Sequence, residues 1–485
     1  MAFGKTAFRE ISRKERVRGR PVPYYKRAIE DRVCDFEEVI LGFDEERAMA
    51  EAARCLQCPD PQPCTLNCPA GNDIPTFLWH ISQGEFVEAA QVISETSPLP
   101  EICGRVCPNL CQQGCALGSR WGSISVGKLE EFAADEARLA GALGISVPAH
   151  KSGKRVAVVG SGPAGITVAE DLIKKGHEVT IYEAWPVPGG VLIYGIPSFK
   201  LDKRVVLNKI HDLEQAGVRF VTSTRVGQDI SLDKLLDSYD AIFLGTGAGV
   251  EATMNIPGEE LAGIYRSTDF LVRANVPQAM LPEDKRLRPE IGRRVAVIGG
   301  GDTAVDCARS SIRLGADEVT IVYRRTELEM PGNTSERYIA LEEGVKIEYL
   351  QAPIEYIADD RGRVRAMKVI RMELGEPDAS GRRRPVPIEG SEFIMEVDSV
   401  VLAVGYWPDP FLGEQTPDLA TRRWGLILAD ERVGATSKVG VFAAGDNVHG
   451  PDLVITAIAA AHQAAASIDA YLSGESVEWA MPERR

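Results

Sequence analysis

The sequence predicts an α/β protein in which a helical, cysteine-rich N-terminal region precedes two nested Rossmann-type units. Two observations carry this prediction. Eight of the ten cysteines lie between residues 55 and 115, and a glycine-rich turn between a strand pattern and a helix pattern occurs twice further along the chain. A chain of 485 residues is long enough for about three domains.

Composition and charge limit the classes of function. With 44% hydrophobic and 26% charged residues, the chain resembles an ordinary globular protein. Its net charge of −15 argues against a nucleic-acid partner, because duplexes bind clustered Lys and Arg. The first twenty residues lack the apolar run of a secretory signal, and the apolar stretch 453–472 contains His462, Gln463 and Asp469, which indicates a packed helix and no membrane span. We therefore expect a cytoplasmic protein without a disulfide framework.

The cysteines of the N-terminal region are spaced as metal ligands. The two groups read Cys55-x2-Cys58-x5-Cys64-x3-Cys68 and Cys103-x3-Cys107-x3-Cys111-x3-Cys115. Only Cys55 and Cys58 have the spacing of a zinc knuckle, whereas a cysteine followed by proline, as at Cys68 and Cys107, is typical of ferredoxin-like motifs. The pattern favours iron–sulfur clusters, with structural zinc or free buried cysteines as alternatives. The isolated Cys34 and Cys307 are expected in the core.

The segment 154–184, KRVAVVGSGPAGITVAEDLIKKGHEVTIYEA, predicts the first dinucleotide-binding unit. A strand pattern leads through Gly160-x-Gly162-x-x-Gly165 into a helix pattern, and a second strand ends at Glu183. Glycines at these positions let the backbone approach a pyrophosphate at the helix N-terminus, and the acid can bind ribose hydroxyls.

The segment 293–325, RRVAVIGGGDTAVDCARSSIRLGADEVTIVYRR, predicts the second unit through Gly299-x-Gly301-x-x-Ala304. Its second strand ends in Tyr323-Arg324-Arg325 where the first unit has an acid. A carboxylate would repel a 2′-phosphate, whereas guanidinium groups can hold it, so this unit is predicted to bind NADP. The alternative is a pair of surface arginines without a ligand.

Three later segments give the order of the units. Segments 239–248 and 397–406 each predict a buried strand ending in a glycine turn, and 438–448 predicts a strand followed by Gly445-Asp446. This order resembles the flavoproteins of the glutathione-reductase type, in which FAD occupies the first unit and the NADP unit is inserted into it. The expected divisions are a helical cluster domain at 1–150, the FAD domain at 151–290 and 406–485, and the NADP domain at 291–405.

From the first cysteine group to the C-terminus, the chain resembles the small (β) subunits of NADPH-dependent glutamate synthase. That family is related to the N-terminal half of dihydropyrimidine dehydrogenase and to the large subunit of NADH-dependent ferredoxin:NADP oxidoreductase. The matching motifs are CPAGNDIPTFL, PEICGRVCPNLCQQGC, VPGGVLIYGIPSFKL, VIGGGDTAVDCARS, VYRRTELEMPG, GSEF and VFAAGDNV. The resemblance implies oxidation of NADPH at FAD and passage of electrons through two [4Fe–4S] clusters to a large (α) subunit that makes glutamate from glutamine and 2-oxoglutarate.

The resemblance also implies which residues bind the cofactors. One cluster would be held by Cys55, Cys58, Cys64 and Cys115, and the other by Cys68, Cys107, Cys111 and the carboxylate of Glu130, while Cys103 would not be a ligand. FAD would be bound by Gly160, Gly162, Pro163, Ala164, Gly165, Ile166, Glu183, Gly190, Val191, Lys200, Gly445 and Asp446. NADP would be bound by Gly300, Gly301, Asp302, Thr303, Arg324, Arg325, Ala403, Val404 and Gly405.

Several alternatives to these assignments stay open. Glu130 could be a solvated acid on an amphipathic helix, and Asp302 and Thr303 could cap the helix that follows them. The chain could also serve a bifurcating ferredoxin:NADP transhydrogenase or another partner oxidoreductase, or be a redox-silent module that binds zinc and nucleotide. Hydride transfer to a flavin needs no protein acid or base, so no catalytic residue is predicted.

Overall fold

The computed structural model describes residues 13–378 and 381–480. Its N-terminal region is helical, as predicted, with a short two-stranded antiparallel ribbon. The elements are α1 (Arg13–Arg18), β1 (Tyr25–Lys26), α2 (Ile29–Arg32), β2 (Ile40–Gly42), α3 (Glu45–Ala52), α4 (Pro63–Leu66), α5 (Ile74–Gln83), α6 (Phe86–Ser94), α7 (Pro100–Val106), α8 (Leu110–Gln113), α9 (Gly118–Trp121) and α10 (Val126–Leu139). Apolar side chains of α5 and α10, among them Phe77, Leu78 and Leu129, form a core that includes Cys55 and Cys111.

Local signals in the sequence explain where these helices begin and end. Helix α5 starts at an Asp73 carboxylate that accepts a hydrogen bond from the Thr76 amide at 3.3 Å, and it ends at Gly84, whose φ of 77° is left-handed. Between α7 and α8 the chain is broken at Cys107-Pro108, because proline cannot continue the helix. The second cysteine group is therefore distributed over α7, the turn after it, α8 and the residues just beyond α8.

The first Rossmann-type unit is a five-stranded parallel sheet. Before the inserted unit the chain forms β3 (Arg155–Val159), α11 (Pro163–Lys174), β4 (Glu178–Tyr182), α12 (Val191–Tyr194), α13 (Lys203–Gln215), β5 (Arg219–Val221), α14 (Leu232–Leu236), β6 (Ala241–Leu244) and β7 (Val250–Glu251). The C-terminal segment returns to this unit and adds α18 (Phe411–Gln415), β18 (Val441–Ala443), α19 (Asp446–His449) and α20 (Val454–Leu472). The strand order is β18-β6-β3-β4-β5, and the predicted nesting is confirmed because β18 lies beside β6.

The apolar stretch at 453–472 is a packed helix, as predicted. Helix α20 lies against α11, and small residues such as Ala461, Ala464 and Ala465 share a core with Ile166 and Ala169. Small side chains let the two helix axes come close together. Among the helices that the structure describes, none combines the length and apolar character needed to cross a bilayer.

The second unit is also a five-stranded parallel sheet, with an antiparallel sheet inserted into it. Its elements are β8 (Ile264–Arg266), α15 (Ser267–Asn275), β9 (Arg294–Ile298), α16 (Asp302–Arg313), β10 (Glu318–Tyr323), α17 (Thr334–Glu342), β11 (Lys346–Tyr349), β12 (Gln351–Ala358), β13 (Val364–Pro377), β14 (Arg383–Pro387), β15 (Phe393–Glu396), β16 (Ser399–Leu402) and β17 (Tyr406–Trp407). The parallel order is β11-β10-β9-β16-β8, and β12 to β15 form the antiparallel sheet. The antiparallel sheet was not predicted from the sequence.

The position of β8 bears on the expected domain boundaries. This strand pairs with β16 in the second sheet, although residues 264–266 fall inside the range expected for the first unit. The chain crosses between the units at β7 and β17, which pair with each other in a two-stranded ribbon. A boundary before Ile264 agrees better with the strand pairing than one at 290/291, and the divisions at 150/151 and 405/406 stay predictions.

Candidate functional site

The first glycine turn is built for close approach of a phosphate group. Gly160 has a φ of 95°, and a Cβ there would lie 2.4 Å from the Gly245 carbonyl oxygen, so only glycine fits. A Cβ on Gly165 would lie 2.0 Å from the Gly160 carbonyl oxygen. Gly162 differs, because nothing lies within 4 Å of its Cβ position. Helix α11 begins at the next residue without a side-chain cap, so its N-terminus is suited to bind a pyrophosphate.

Glu183 is held beside this turn by hydrogen bonds that the sequence analysis missed. The buried carboxylate accepts from the Ser161 amide at 3.1 Å and from the Trp185 amide at 2.9 Å. The Ser161 hydroxyl also donates to Glu183 and accepts from the Gly189 amide at 2.8 Å. Ser161 therefore ties the acid to the loop that carries Gly190 and Val191. Its place inside the GSGPAG turn was the signal that could have identified it.

Gly190 and Gly445 bring the remaining flavin candidates to the same turn. Gly190 has a φ of 52°, and its Cβ position lies 2.8 Å from the Gly162 Cα. Gly445 has a φ of 86°, with its Cβ position 3.3 Å from the Ala164 side chain at the start of α11. Asp446 follows it, and burial raises the pKa of this carboxyl to about 7. The carboxyl can therefore bond sugar hydroxyls in a protected position.

Lys200 lies away from the glycine turn. Its ammonium group is 3.1 Å from Asp306 on α16 and 3.9 Å from Glu336 on α17, both in the second unit. Burial lowers the pKa of Lys200, but the two acids raise it above its ordinary value. Its predicted contact with FAD is not visible in these interactions and stays a prediction.

The second glycine turn repeats the design of the first. Gly299 has a φ of 144°, and its Cβ position lies 2.2 Å from the Ala403 carbonyl oxygen, so the turn packs against the segment that carries Val404 and Gly405. A Cβ on Gly300 would meet the Tyr323 ring at 2.5 Å. At Gly301 nothing lies within 4 Å of the Cβ position, and α16 begins at the next residue. This is the same open approach to a helix N-terminus.

Asp302 and Thr303 make contacts outside their own helix. The Asp302 carboxylate accepts from the Asn333 amide at 2.7 Å, and no side chain caps α16. The capping alternative is therefore wrong for Asp302, which instead holds the loop after Met330 against the turn. The Thr303 side chain lies beside the half-buried Tyr406, where the chain returns to the first unit.

The two arginines predicted to read the 2′-phosphate have different surroundings. Arg324 is exposed, whereas Arg325 is only 5% exposed. The Arg325 guanidinium donates from Nε to the Arg383 carbonyl oxygen at 2.7 Å and from Nη2 to the Asp378 carboxylate at 2.8 Å. The alternative of two surface arginines is therefore wrong for Arg325.

The eight clustered cysteines line two adjacent cavities. The first cavity is lined by Cys55, Cys58, Cys64 and Cys115, and the second by Cys68, Cys103, Cys107 and Cys111 together with Glu130. Ile74 and Val126 contribute to both walls. Among the described residues no three Cys, His, Asp or Glu side chains converge as the ligands of one ion do. Thiols spread around a cavity suit a four-iron cluster, which is larger than one ion and takes a ligand at each iron.

Glu130 is the acid of the second cavity. It is 6% exposed, and its Oε1 atom is buried without a hydrogen-bond partner among the described residues. Burial raises the pKa of this carboxyl to about 8. An unsatisfied buried carboxylate oxygen in a cavity lined by thiols fits a cluster ligand, because such atoms are costly without a partner. The alternative of a solvated acid is wrong.

The remaining cysteines separate into buried and exposed positions. Cys103 is buried in the second cavity, and burial raises the pKa of its thiol well above the ordinary value. Cys307 is buried inside α16, as predicted. The prediction for Cys34 is wrong. Its thiol is exposed just after α2 and donates to the Glu30 carbonyl oxygen at 3.1 Å.

Two family models match the regions that these sites define. The model for pyridine nucleotide-disulphide oxidoreductases matches residues 154–461. The model for the 4Fe-4S cluster domain II of dihydropyrimidine dehydrogenase matches residues 32–142. Among solved structures, Mycobacterium tuberculosis FprA has a TM-score of 0.56 at 24% identity, over 67% of this chain and 87% of that one. At that identity the likeness concerns the fold alone, and the protein's two nested dinucleotide units are a known architecture.

Curated relatives match nearly the whole chain. The NADPH glutamate synthase small chain of Escherichia coli is 39% identical over 91% of this chain and 95% of its own length, and that of Azospirillum brasilense is 38% identical over 93% and 94%. The β subunit of an NADP-dependent formate dehydrogenase from Moorella thermoacetica is 38% identical over 84% of this chain and 60% of its own length. The cofactors of this chain are thus FAD, NADP(H) and [4Fe–4S] clusters. The chain belongs to the family of the NADPH glutamate synthase small chains, and it is an NADPH-dependent flavin and iron–sulfur oxidoreductase.

Proposed function

We propose that the chain is the electron-input subunit of a glutamate synthase. It takes electrons from NADPH and delivers them to a large (α) subunit that makes glutamate from glutamine and 2-oxoglutarate. We place this activity in the cytoplasm, where the clustered thiols stay reduced.

One observation carries the proposal. The second thiol-lined cavity includes Ile455, which lies in the first turn of α20 in the flavin unit. The first cavity adjoins the second through Ile74 and Val126, and its lining residues all belong to the N-terminal region. The flavin unit, the second cavity and the first cavity are therefore consecutive neighbours. Such an order suits a path for electrons between the flavin unit and the N-terminal region.

The protein groups have binding roles in this proposal. Gly162 and Gly301 admit the two pyrophosphates to the N-termini of α11 and α16, and Glu183 and Asp446 hold sugar hydroxyls of FAD. When bound, FAD takes a hydride from NADPH and the clusters carry single electrons, which is chemistry of the cofactors themselves. One cluster is assigned to Cys55, Cys58, Cys64 and Cys115, and the other to Cys68, Cys107, Cys111 and Glu130.

Reconstitution with a large chain tests this function. The chain is co-expressed with the glutamate synthase large chain of its own organism, and the complex is isolated by size-exclusion chromatography. We expect glutamate formation that requires NADPH, glutamine and 2-oxoglutarate together. A chain that reduces dyes with NADPH, but neither binds the large chain nor supports glutamate formation, would refute the proposal.

A second function is supported by the range of enzymes to which the relatives belong. The formate dehydrogenase subunit is as identical to this chain, at 38%, as the Azospirillum brasilense small chain is, although the match covers 60% of its own length against 94%. The same electron-input module could therefore serve another oxidoreductase. In that case affinity purification from the native organism would recover a different redox enzyme and no glutamate synthase large chain.

A further inference from the structure

One hairpin of the inserted antiparallel sheet lies against the candidate NADP site. Strands β13 and β14 form this hairpin, with Pro377 paired to Arg383 near its end. Arg325, which follows the nucleotide strand β10, bonds both sides of the hairpin end: the Asp378 carboxylate at 2.8 Å and the Arg383 carbonyl oxygen at 2.7 Å. The Arg325 guanidinium is therefore committed to holding the hairpin in place.

The surroundings of Arg324 differ from those of Arg325. Its side chain has no hydrogen bond or ion pair among the described residues and is exposed. Arg382 directly precedes Arg383, whose carbonyl oxygen accepts a hydrogen bond from Arg325, the residue after Arg324. Arg382 belongs to the hairpin, so two different elements bring arginines to this end of β10. Like charges held together in this way suit an anion that is shared between them.

The register of the strands places this group of charges at a defined point. Gly160 donates to the Tyr182 carbonyl oxygen and Gly299 donates to the Val322 carbonyl oxygen, so Tyr323 stands where Glu183 stands in the first unit. The Tyr323 ring covers Gly300, and its hydroxyl donates to the Glu329 carbonyl oxygen at 2.7 Å. The second unit therefore has no acid at the position where Glu183 is predicted to bind ribose in the first unit. Arg324 and Arg325 are the next two residues along the chain.

We propose that Arg324 and Arg382 together bind the 2′-phosphate of NADPH, and that Arg325 is a positioning residue that fixes the hairpin through Asp378. This inference rests on the proposed NADP site and refines it. The inserted sheet becomes part of the coenzyme site, because its hairpin supplies half of the phosphate contacts. Lysine cannot replace Arg325, since one ammonium group cannot reproduce the two directed bonds to Asp378 and Arg383.

Steady-state kinetics with the holoenzyme and an artificial electron acceptor tests the phosphate contacts. Arg324→Ala and Arg382→Ala should each raise the KM for NADPH about tenfold to a hundredfold, the range expected for one charge-assisted contact. The KM for NADH and both kcat values should change little, and the inhibition constant of 2′,5′-ADP should rise in parallel. Arg361→Ala is the matched control, because Arg361 lies in the turn at the other end of β13.

A double-mutant cycle tests the positioning role of Arg325. Arg325→Ala and Asp378→Ala should weaken NADPH binding by similar factors, and the double variant should be no worse than either, since both act through one contact. If Asp378→Ala changes NADPH binding little, and the losses of affinity in the two single variants add up in the double variant, Arg325 contacts the phosphate itself. Arg382→Lys should recover part of the affinity lost in Arg382→Ala.

Two outcomes distinguish a failure of this inference from a failure of the proposed NADP site. If Arg324→Ala loses NADPH selectivity and Arg382→Ala does not, the hairpin takes no part and the inference is refuted. If neither variant changes the preference between NADPH and NADH, the NADP site itself is misplaced.

Discussion

One carboxylate, that of Glu130, is the proposed fourth ligand of the second cluster. Four thiols and the Glu130 side chain line its cavity, and the Glu130 Oε1 atom has no hydrogen-bond partner among the described residues. Cys103 lines the same cavity, but it lies inside α7, where its thiol is 3.9 Å from the Ser97 hydroxyl. We therefore favour Glu130 over Cys103 as the fourth ligand.

Iron analysis and low-temperature EPR after reduction compare Glu130→Ala with Cys103→Ala. The glutamate variant should lose or alter one cluster, because an oxygen ligand sets the reduction potential differently from a thiolate. The cysteine variant should keep both clusters. Loss of a cluster in Cys103→Ala, with unchanged spectra in Glu130→Ala, would reverse the assignment.

Glu183 gives a second test at the residue scale. Its carboxylate joins the glycine turn to the Gly189 loop through Ser161, so its removal affects both sides of the flavin site. Glu183→Ala should yield protein depleted in FAD but normal in iron, because lost bonds to a charged group weaken binding by about 1.5–3 kcal/mol each. Glu178→Ala, at the exposed start of the same strand, is the control. Chromatography of the extracted flavin measures the result, and recovery of FMN from the wild type would contradict the assignment.

Among the elements, the crossing of α7 and α10 supports the second cavity. At Gly104 the helices come so close that a Cβ would lie 2.5 Å from the Glu131 amide nitrogen and 2.6 Å from its Cα. Gly104→Ala gains about 1 kcal/mol of helix propensity. Overpacking against backbone that cannot move aside costs about 1–3 kcal/mol or more. We expect a lower melting temperature and loss of iron, since α7 leads to Cys107 and α10 carries Glu130.

A matched glycine controls this experiment. Gly144 follows α10, and nothing lies within 4 Å of its Cβ position. Gly144→Ala should leave both the melting temperature and the iron content unchanged. Equal behaviour of the two variants would show that the close crossing at Gly104 does not support the cluster.

Local patterns in the sequence predicted the elements of the candidate cofactor sites. Predictions failed where the structure depends on pairing between segments that are distant in the chain. Strands β3 and β9, each with its glycine turn, are encoded within about 30 residues, and the cysteine spacing grouped the thiols before the cavities were visible. Strand β8 joins the second sheet by pairing with β16, more than a hundred residues away, and no local signal assigns it there. The burial of Arg325 likewise depends on Asp378 in the inserted hairpin.

At the scale of the whole molecule, the first cluster cavity is set apart from the flavin unit. Three of its cysteines, Cys55, Cys64 and Cys115, pack in a core that belongs to the N-terminal region, whereas Cys103 and Ile102 join the large core of the first dinucleotide unit. A change in the first cavity should therefore leave nucleotide and flavin binding intact. Dyes accept electrons from an exposed flavin, whereas a protein partner would receive them at the far end of the path.

Cys58→Ala tests this separation of the two halves. Its iron content should fall by about half, because one of two four-iron clusters loses a ligand. NADPH-dependent dye reduction should stay within about twofold of the wild type, since the cofactor that takes the hydride keeps all its contacts. Glutamate formation by the complex with the large chain should be lost. Cys34→Ala, which alters an exposed thiol outside both cavities, should match the wild type in all three measurements. If dye reduction falls in proportion to iron, electrons must reach the dye through the clusters. The flavin unit would then be unable to act independently of the first cavity.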